Sequence, residues 1–221
     1  MRDEQSKFAV LLDAMGVLYN AGDDVAELLV PFILKRRPET SISRIESAYL
    51  AASLGELSAA EFWRLFDLPE AIEDAYLQEH SLRDGVTEFL DWARQQQIEV
   101  ACLSNDVGRW SEKLRSAFKL TEKISTWVIS GDVCVRKPDP KIYRMYLDIA
   151  RLKPDRVLFV DDRINNVRAA ALVGLQTALF AARGPDLERN IVCCENFSEV
   201  QDLCRRLWSL DDQRLLKGRV S

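Results

Sequence analysis

The stretch that most constrains this chain is Phe8-Ala9-Val10-Leu11-Leu12-Asp13-Ala14-Met15-Gly16-Val17-Leu18-Tyr19. Five consecutive apolar residues suit a strand covered on both faces, as in a parallel sheet, rather than the alternation of a half-exposed strand. The run stops on Asp13. Ligands of open α/β sheets sit beyond the carboxyl ends of the strands, so Asp13 stands at the edge of a candidate site. Gly16 permits a sharp turn or a close backbone approach. Taken alone, Asp13 is more simply a residue that ends a strand; the later strands change this.

The same pattern recurs beyond residue 83. Ile98–Leu103 runs into Ser104-Asn105-Asp106, Trp127–Ile129 into Ser130-Gly131-Asp132, and Val157–Val160 into Asp161-Asp162. Thr177–Phe180 is a further strand. Between them, apolar residues fall at helical spacing: Val86, Phe89, Leu90 and Ala93; Trp110, Leu114 and Phe118; Ile142, Tyr146 and Ile149; Val167, Ala170 and Ala171. Gly174 stops the last of these, and Ser198 is expected to cap a final helix carrying Val200, Leu203 and Leu207. Strands alternating with helices imply a parallel sheet between helical layers. The charged tail from Asp211 is expected to fray.

Residues 20–82 break the alternation. Val25, Leu28, Leu29, Phe32 and Ile33 form a helical stripe that ends before Pro38. Ile42, Ile45 and Tyr49 continue the period, with Ser43 and Glu46 spaced as a capping box. Ser58 and Glu61 form another, ahead of Phe62, Leu65 and Phe66, and Pro69 is expected at the first position of a further helix. The expected organisation is a core of residues 1–19 and 83–221 and a cap of about four helices at 20–82, well placed to cover a site at the end of the first strand.

Composition narrows the function classes. A chain of 221 residues, 48% apolar and 29% charged, buries a core without staples. Its net charge of −5 argues against non-specific nucleic-acid binding and against a basic membrane patch. No apolar run reaches the length of a membrane span, and Met1-Arg2-Asp3-Glu4-Gln5 lacks the apolar centre of a signal peptide. The five cysteines are odd in number and form no C-x-x-C; Cys102 and Cys134 are expected as buried thiols, and the set suits a reducing cytoplasm. With His80 as the single histidine, a zinc site or a Ser-His-Asp triad is not expected, and acid–base work falls to carboxylates or lysine.

The strand ends gather Asp13, Ser104, Asn105, Lys137, Asp161 and Asp162 at one rim. Three carboxylates together repel unless a cation neutralises them, and oxygen ligands without nitrogen or sulfur suit Mg²⁺. Lys137 can pair with both a carboxylate and a phosphate, and a serine hydroxyl with a backbone N–H at a helix N-terminus can hold phosphate oxygens. The residues point to a Mg²⁺ site for a small phosphorylated molecule, with an aspartate available as nucleophile.

In this order the four segments resemble the four motifs of the haloacid dehalogenase-like superfamily. Ser130-Gly-Asp-Val-Cys-Val-Arg-Lys-Pro-Asp-Pro-Lys-Ile-Tyr143 and Val160-Asp-Asp-Arg-Ile-Asn-Asn-Val-Arg-Ala-Ala170 carry most of the likeness, which covers roughly residues 8–182. The resemblance implies a Rossmann-like three-layer α/β core with a helical cap inserted between the first and second motifs. It implies that Asp13 attacks the substrate and forms an aspartyl intermediate, that Ser104 and the Asn105 backbone hold the transferring group, and that Lys137 balances charge. It further implies that Asp162 ligates Mg²⁺ directly, Asp161 directly or through water, and Met15 through its backbone carbonyl.

One residue departs from the pattern. Phosphatases of the family carry a second aspartate two residues after the nucleophile, which protonates the leaving group and then activates water. Here that residue is Met15, whose thioether can do neither. Such a group is worth about 10²–10⁴-fold in rate. Three readings stay open: a Mg²⁺-dependent hydrolase with weakened acid–base function, a phospho-ligand binding or regulatory protein with vestigial catalysis, and a dehalogenase-like enzyme acting on a non-phosphate bond. Asp106 is expected to cap the helix that follows it rather than replace the acid, and Lys35, the only lysine of the insertion, is expected to be a solvated charge. Nothing in the residues indicates an oligomeric state.

Overall fold

A computed structural model describes residues 7–181 and 191–209. The apolar runs become strands β1 (Ala9–Leu12), β2 (Glu99–Ser104), β3 (Thr126–Ile129), β4 (Val157–Asp161) and β5 (Gln176–Phe180), joined by a two-residue β6 (Cys193–Cys194) that periodicity did not signal. They form one parallel sheet in the order β3-β2-β1-β4-β5-β6. All four residues of β1 are fully buried, because β1 lies between β2 and β4 and both its faces are covered. The chain winds outward one way through β2 and β3, then the other way through β4, β5 and β6. The gap between β1 and β4 is therefore the topological switch point, where a ligand crevice opens.

The segment after β1 holds one wide, π-wound turn (Val25–Leu29) running into α1 (Val30–Leu34), then α2 (Ile42–Ala52), α3 (Ala59–Arg64) and α4 (Ile72–Leu77). The remaining helices are α5 (Val86–Gln95), α6 (Gly108–Ala117), α7 (Ser130–Val133), α8 (Pro140–Ala150), α9 (Ile164–Val173) and α10 (Phe197–Trp208). Alternation along β1 sorts the layers. Val10 and Leu12 face α5, α6 and α10, whereas Ala9 and Leu11 face α8 and α9. The result is the three-layer α/β core expected from the sequence.

Phe32, Phe62, Trp63 and Tyr76 of the inserted helices pack mostly edge to face on one another and on Trp110 of α6. At this junction sits Glu73, fully buried. Its Oε2 accepts from Trp110 Nε1 at 2.9 Å and Trp63 Nε1 at 3.4 Å, while its Oε1 pairs with Arg109 Nε at 2.9 Å and Lys113 Nζ at 2.7 Å. One carboxylate thus ties α4 to α6. Glu73→Ala is expected to lower the unfolding free energy by roughly 3 kcal/mol, since it strands two buried indole N–H groups and removes the partner of two cations. Glu73→Gln, which keeps an acceptor, is expected to lose less. Urea melts of both variants check this; an Ala variant within about 0.5 kcal/mol of the parent, the range of a surface substitution, would remove Glu73 from that role.

Local signals were mixed in their accuracy. The Ser58–Glu61 capping box forms as read. The cap of α2 is Ser41, not Ser43: Ser41 keeps an extended ψ of 142° and accepts from Arg44 N–H, and Ser43 is already inside the helix. Likewise Asn196, not Ser198, caps α10 by accepting from Glu199 N–H. Pro69 begins a turn, its carbonyl accepting from Ile72 N–H at 3.0 Å, so α4 starts three residues later than read. Cys102 is buried as expected, but Cys134 is exposed; it ends α7 with φ of 57°, where the chain turns away from the sheet. The charged tail from Asp211 lies outside the described residues. No described helix is long and apolar enough to cross a membrane.

Candidate active site

Strand register assembles the site. Leu12 lies opposite both Cys102 and Val160, so Asp13 falls beside Asp161 at the carboxyl edge, and Asp13 N–H still donates to Val160 C=O at 2.9 Å. The chain then folds back on itself: Tyr19 N–H bonds Ala14 C=O at 2.9 Å and Gly16 N–H bonds Ala21 C=O at 2.7 Å. Gly16 has φ of 76°, and a Cβ there would overlap Asp162 Oδ2. Glycine is needed at this position for both reasons, and without its bareness Asp162 could not approach the turn.

Lys137 is the hub. It is buried, and its Nζ lies 2.7 Å from Asp13 Oδ1 and 2.7 Å from Asp161 Oδ2. Asn105 fixes its backbone: Asn105 Nδ2 donates to Lys137 C=O at 2.9 Å and Lys137 N–H donates to Asn105 Oδ1 at 2.8 Å. Asp13 Oδ1 also accepts from Ala14 N–H at 2.7 Å, so the carboxylate is held from two sides.

The two adjacent acids differ. Asp161 is saturated: Oδ1 accepts from Arg163 N–H at 2.8 Å and Asn166 Nδ2 at 3.1 Å, and Oδ2 from Lys137 Nζ and from Asn166 Nδ2 at 3.0 Å. Asp162 Oδ1 is buried with no hydrogen-bond partner among the described residues, and so is the hydroxyl of Ser104. An unpaired buried polar group costs about 1–3 kcal/mol, so two of them facing one rim call for a reason.

Electrostatics supply it. Oxygens of Asp13, Asp161 and Asp162 lie within 4.8 Å of one another. Three carboxylates share one ammonium at contact distance, and the exposed Arg163 guanidinium offsets Asp162 only in part, so negative charge is left over. Burial, and then the charge of Asp161, push the Asp13 carboxyl well above its ordinary range in spite of Lys137. Burial followed by Asp161 raises Asp162 to about 6. Burial works against the Lys137 ammonium, but Asp13 and Asp161 outweigh it and hold its pKa above the usual amine range. The unpartnered Asp162 oxygen, the all-oxygen donor set and the charge deficit fit a hard divalent cation such as Mg²⁺.

Asp13 and Lys137, with Asp161 and Asp162 behind them, open into a cavity of about 430 Å³, walled on the sheet side by Asp13, Met15, Ser104, Asn105 and Lys137 and on the insertion side by Asp24, Glu46, Tyr49 and Leu50. That volume is ample for a small metabolite. Tyr49 closes the wall by donating to Asn105 C=O at 2.9 Å. Every rim residue singled out from the sequence is thus brought together. Lys35 is exposed and not part of the wall. Asp106 is buried but does not line the cavity; its Oδ1 accepts from Val107 N–H at 2.7 Å, and Val107 rather than Asp106 stands at the cap position of α6. The sequence reading missed Asn166, whose only signal is its position five residues after Asp161. It also missed Asp24, which has no local signal.

The haloacid dehalogenase-like hydrolase family model matches residues 9–174. Among curated proteins, the chain is 34% identical over 107 residues to a phosphoglycolate phosphatase of Pseudomonas putida, a match covering 47% of this chain and 39% of that protein. The chain therefore spans less than half the length of that relative. Its fold superposes on a HAD phosphatase of Thermococcus onnurineus with a TM-score of 0.68 at 20% identity, covering 89% of this chain and 97% of that one. It superposes on a HAD family enzyme of Bacteroides thetaiotaomicron, solved with magnesium and inorganic phosphate, with a TM-score of 0.66 at 19% identity, covering 83% and 98%. A family match across most of the chain, on a sheet whose strand ends carry the four motifs in order, means that the chain belongs to the haloacid dehalogenase-like hydrolases.

Proposed function

We propose that the protein is a Mg²⁺-dependent phosphatase of small phosphorylated metabolites, acting through Asp13. The observation that carries this reading is the convergence of Asp13, Asp161, Asp162 and Lys137 with negative charge to spare, beside an unpartnered Ser104 hydroxyl. Asp13, Asp162 and the Met15 carbonyl would hold Mg²⁺, which neutralises and orients the transferring phosphoryl group. Asp13 attacks phosphorus, its carboxylate kept from rotating by Lys137 and the Ala14 N–H. Ser104 donates its hydroxyl to a phosphoryl oxygen. Asp161, with no oxygen to spare, holds Lys137 in place, so direct ligation falls to Asp162. The inserted helices form the cap that walls the substrate from water.

Met15 favours the second reading, a phospho-ligand binding protein with vestigial catalysis. A dehalogenase-like reaction is less well supported, since three clustered carboxylates would repel the carboxylate of a haloacid. The test is a panel of phosphate esters and acyl phosphates with Mg²⁺ and with chelator. Mg²⁺-dependent phosphate release is the expected result; tight ligand binding without turnover of any substrate would instead support the vestigial reading.

Asp162→Ala is expected to abolish Mg²⁺-linked thermal stabilisation, because binding to the folded state raises stability by mass action. In the parent protein, Mg²⁺ affinity should weaken as pH falls through about 6, where Asp162 takes up a proton. The sign reverses without metal. The raised folded-state pKa means that the folded chain binds that proton more tightly, so metal-free stability falls as pH rises towards and through about 6. Thermal melts against pH, with and without Mg²⁺, check both slopes; an unchanged Mg²⁺ shift in the variant would remove Asp162 from the site.

A further inference from the structure

Met15 leaves the position two residues after the nucleophile without an acid–base group. We propose that Asp24, on the insertion wall of the same cavity, is the general acid–base residue of this site, delivering the proton to the leaving-group oxygen that Met15 cannot supply. This rests on the phosphatase reading above.

Direction comes first. In phosphoryl transfer the attacking and leaving oxygens lie roughly in line through phosphorus. With Asp13 attacking from the sheet edge, the leaving oxygen faces the opposite wall. Asp24 is on that wall, with Glu46 and Tyr49.

The chain just before it is pinned beside Asp162 and the turn after β1. Gly16 N–H bonds Ala21 C=O at 2.7 Å and Arg163 Nη2 donates to Gly22 C=O at 3.2 Å. A Cβ built on Gly22 would lie 3.1 Å from Asp162 Oδ2 and 4.0 Å from Gly16 Cα. Asp24 follows Gly22 by two residues, a backbone reach of at most ~7 Å.

The other acids of the cavity are unsuited. Asp23 is exposed, 3.8 Å from Arg163 Nη2, and accepts from Ala26 N–H. Glu46 is exposed to solvent. Asp24 is only 5% exposed; its buried Oδ2 closes no well-formed hydrogen bond among the described residues, and the neighbouring group is the Tyr76 hydroxyl, which is likewise without a well-formed bond. Its surroundings suit proton transfer near neutrality. Burial, and then the charge of Asp23, raise its carboxyl to about 7 against the pull of Arg163. The ionisable groups facing it from other elements are Tyr49 of α2, Tyr76 of α4, Asp106 after β2 and Arg163 before α9. A carboxyl poised there can give a proton and take one back.

The steps balance. As the bond from Asp13 oxygen to phosphorus forms, the phosphorus–leaving oxygen bond breaks and that oxygen takes the Asp24 proton, leaving as an alcohol. Water then attacks phosphorus and gives a proton to the Asp24 carboxylate. The bond from phosphorus to Asp13 breaks, inorganic phosphate departs, and Asp24 is again an acid.

The test is the leaving-group dependence of kcat/KM, which reports transfer to Asp13 alone, for aryl phosphates of graded phenol acidity and for acetyl phosphate, all with Mg²⁺. Asp24→Asn, which keeps the side chain's size, is expected to lower kcat/KM for the poorest leaving groups by about 10²–10³-fold. Acetyl phosphate, whose leaving group needs no proton, should change several-fold at most. The fall in parent activity on the basic side of about 7 should disappear in the variant. Adding Met15→Asp to Asp24→Asn should restore part of the loss. Retained Mg²⁺-linked stabilisation shows that the variant is folded. Equal losses for all leaving groups, no loss, or a surviving basic limb would each overturn the role of Asp24 while leaving the phosphatase reading intact. A parent protein that turns over neither ester nor acyl phosphate, or an Asp13→Asn variant with full activity, would overturn that reading and this proposal with it.

Discussion

Asp13→Asn is expected to abolish Mg²⁺-dependent phosphate-ester hydrolysis, a loss on the order of 10⁴-fold or more, as for other lost nucleophiles. An amide oxygen cannot form the aspartyl intermediate, and the rest of the described rim is committed: Asp161 is saturated, Asp162 is the carboxylate assigned to the metal, and Ser104 has no hydrogen-bonded base. The fold should not suffer. Asp13 is a buried carboxylate whose pKa is pushed well up, chiefly by burial. The amide oxygen of Asn can still accept from Lys137 and the Ala14 N–H, while one of three clustered negative charges is gone. Metal-free thermal stability should therefore hold or rise, and Mg²⁺ should stabilise the variant less than the parent. Phosphate release and melting curves measure the two effects; a variant that keeps its turnover would place the nucleophile elsewhere.

Lys137→Met carries the largest expected stability effect. It leaves Asp13 and Asp161 buried side by side without their shared ammonium, and removing one partner of a buried ion pair typically costs about 3–5 kcal/mol. The loss should be greatest in metal-free protein at pH 7.5. It should shrink as pH falls, because the buried Asp13 carboxyl, without its lysine, binds a proton more tightly in the folded state than in the unfolded chain. Mg²⁺ should restore part of it by supplying positive charge at the same oxygens. Urea melts at pH 5 and 7.5, with and without Mg²⁺, test this. Equal stability of parent and variant at pH 7.5 without metal would mean that the lysine does not hold the cluster together.

The residues of the rim were legible because their signal is local. A buried parallel strand is a continuous apolar run, and the residue that ends it sits at the carboxyl edge whatever its neighbours are. Asp13, Ser104, Asp161 and Asp162 could therefore be named from their own segments, and the Ser58–Glu61 box closes within four residues. Neighbouring serines defeated the same logic at α2, where only the backbone angle at Ser41 decides which hydroxyl caps.

By itself, then, the sequence determined the parallel sheet, the helical insertion and the ring of polar groups at the strand ends, since each depends on spacing along one stretch of chain. Tertiary structure alone decided how those groups divide the work. Asp161 is satisfied by Lys137, 24 residues earlier, and by Asn166 on the next helix, which leaves Asp162 as the carboxylate with an oxygen free. Asp24 is buried, and the tyrosines that feel its charge, Tyr49 of α2 and Tyr76 of α4, come from segments 25 and 52 residues further along the chain. Whether a carboxyl is saturated, unpartnered or pushed towards neutrality depends on desolvation and on charges brought in from distant segments, and no local pattern carries that information.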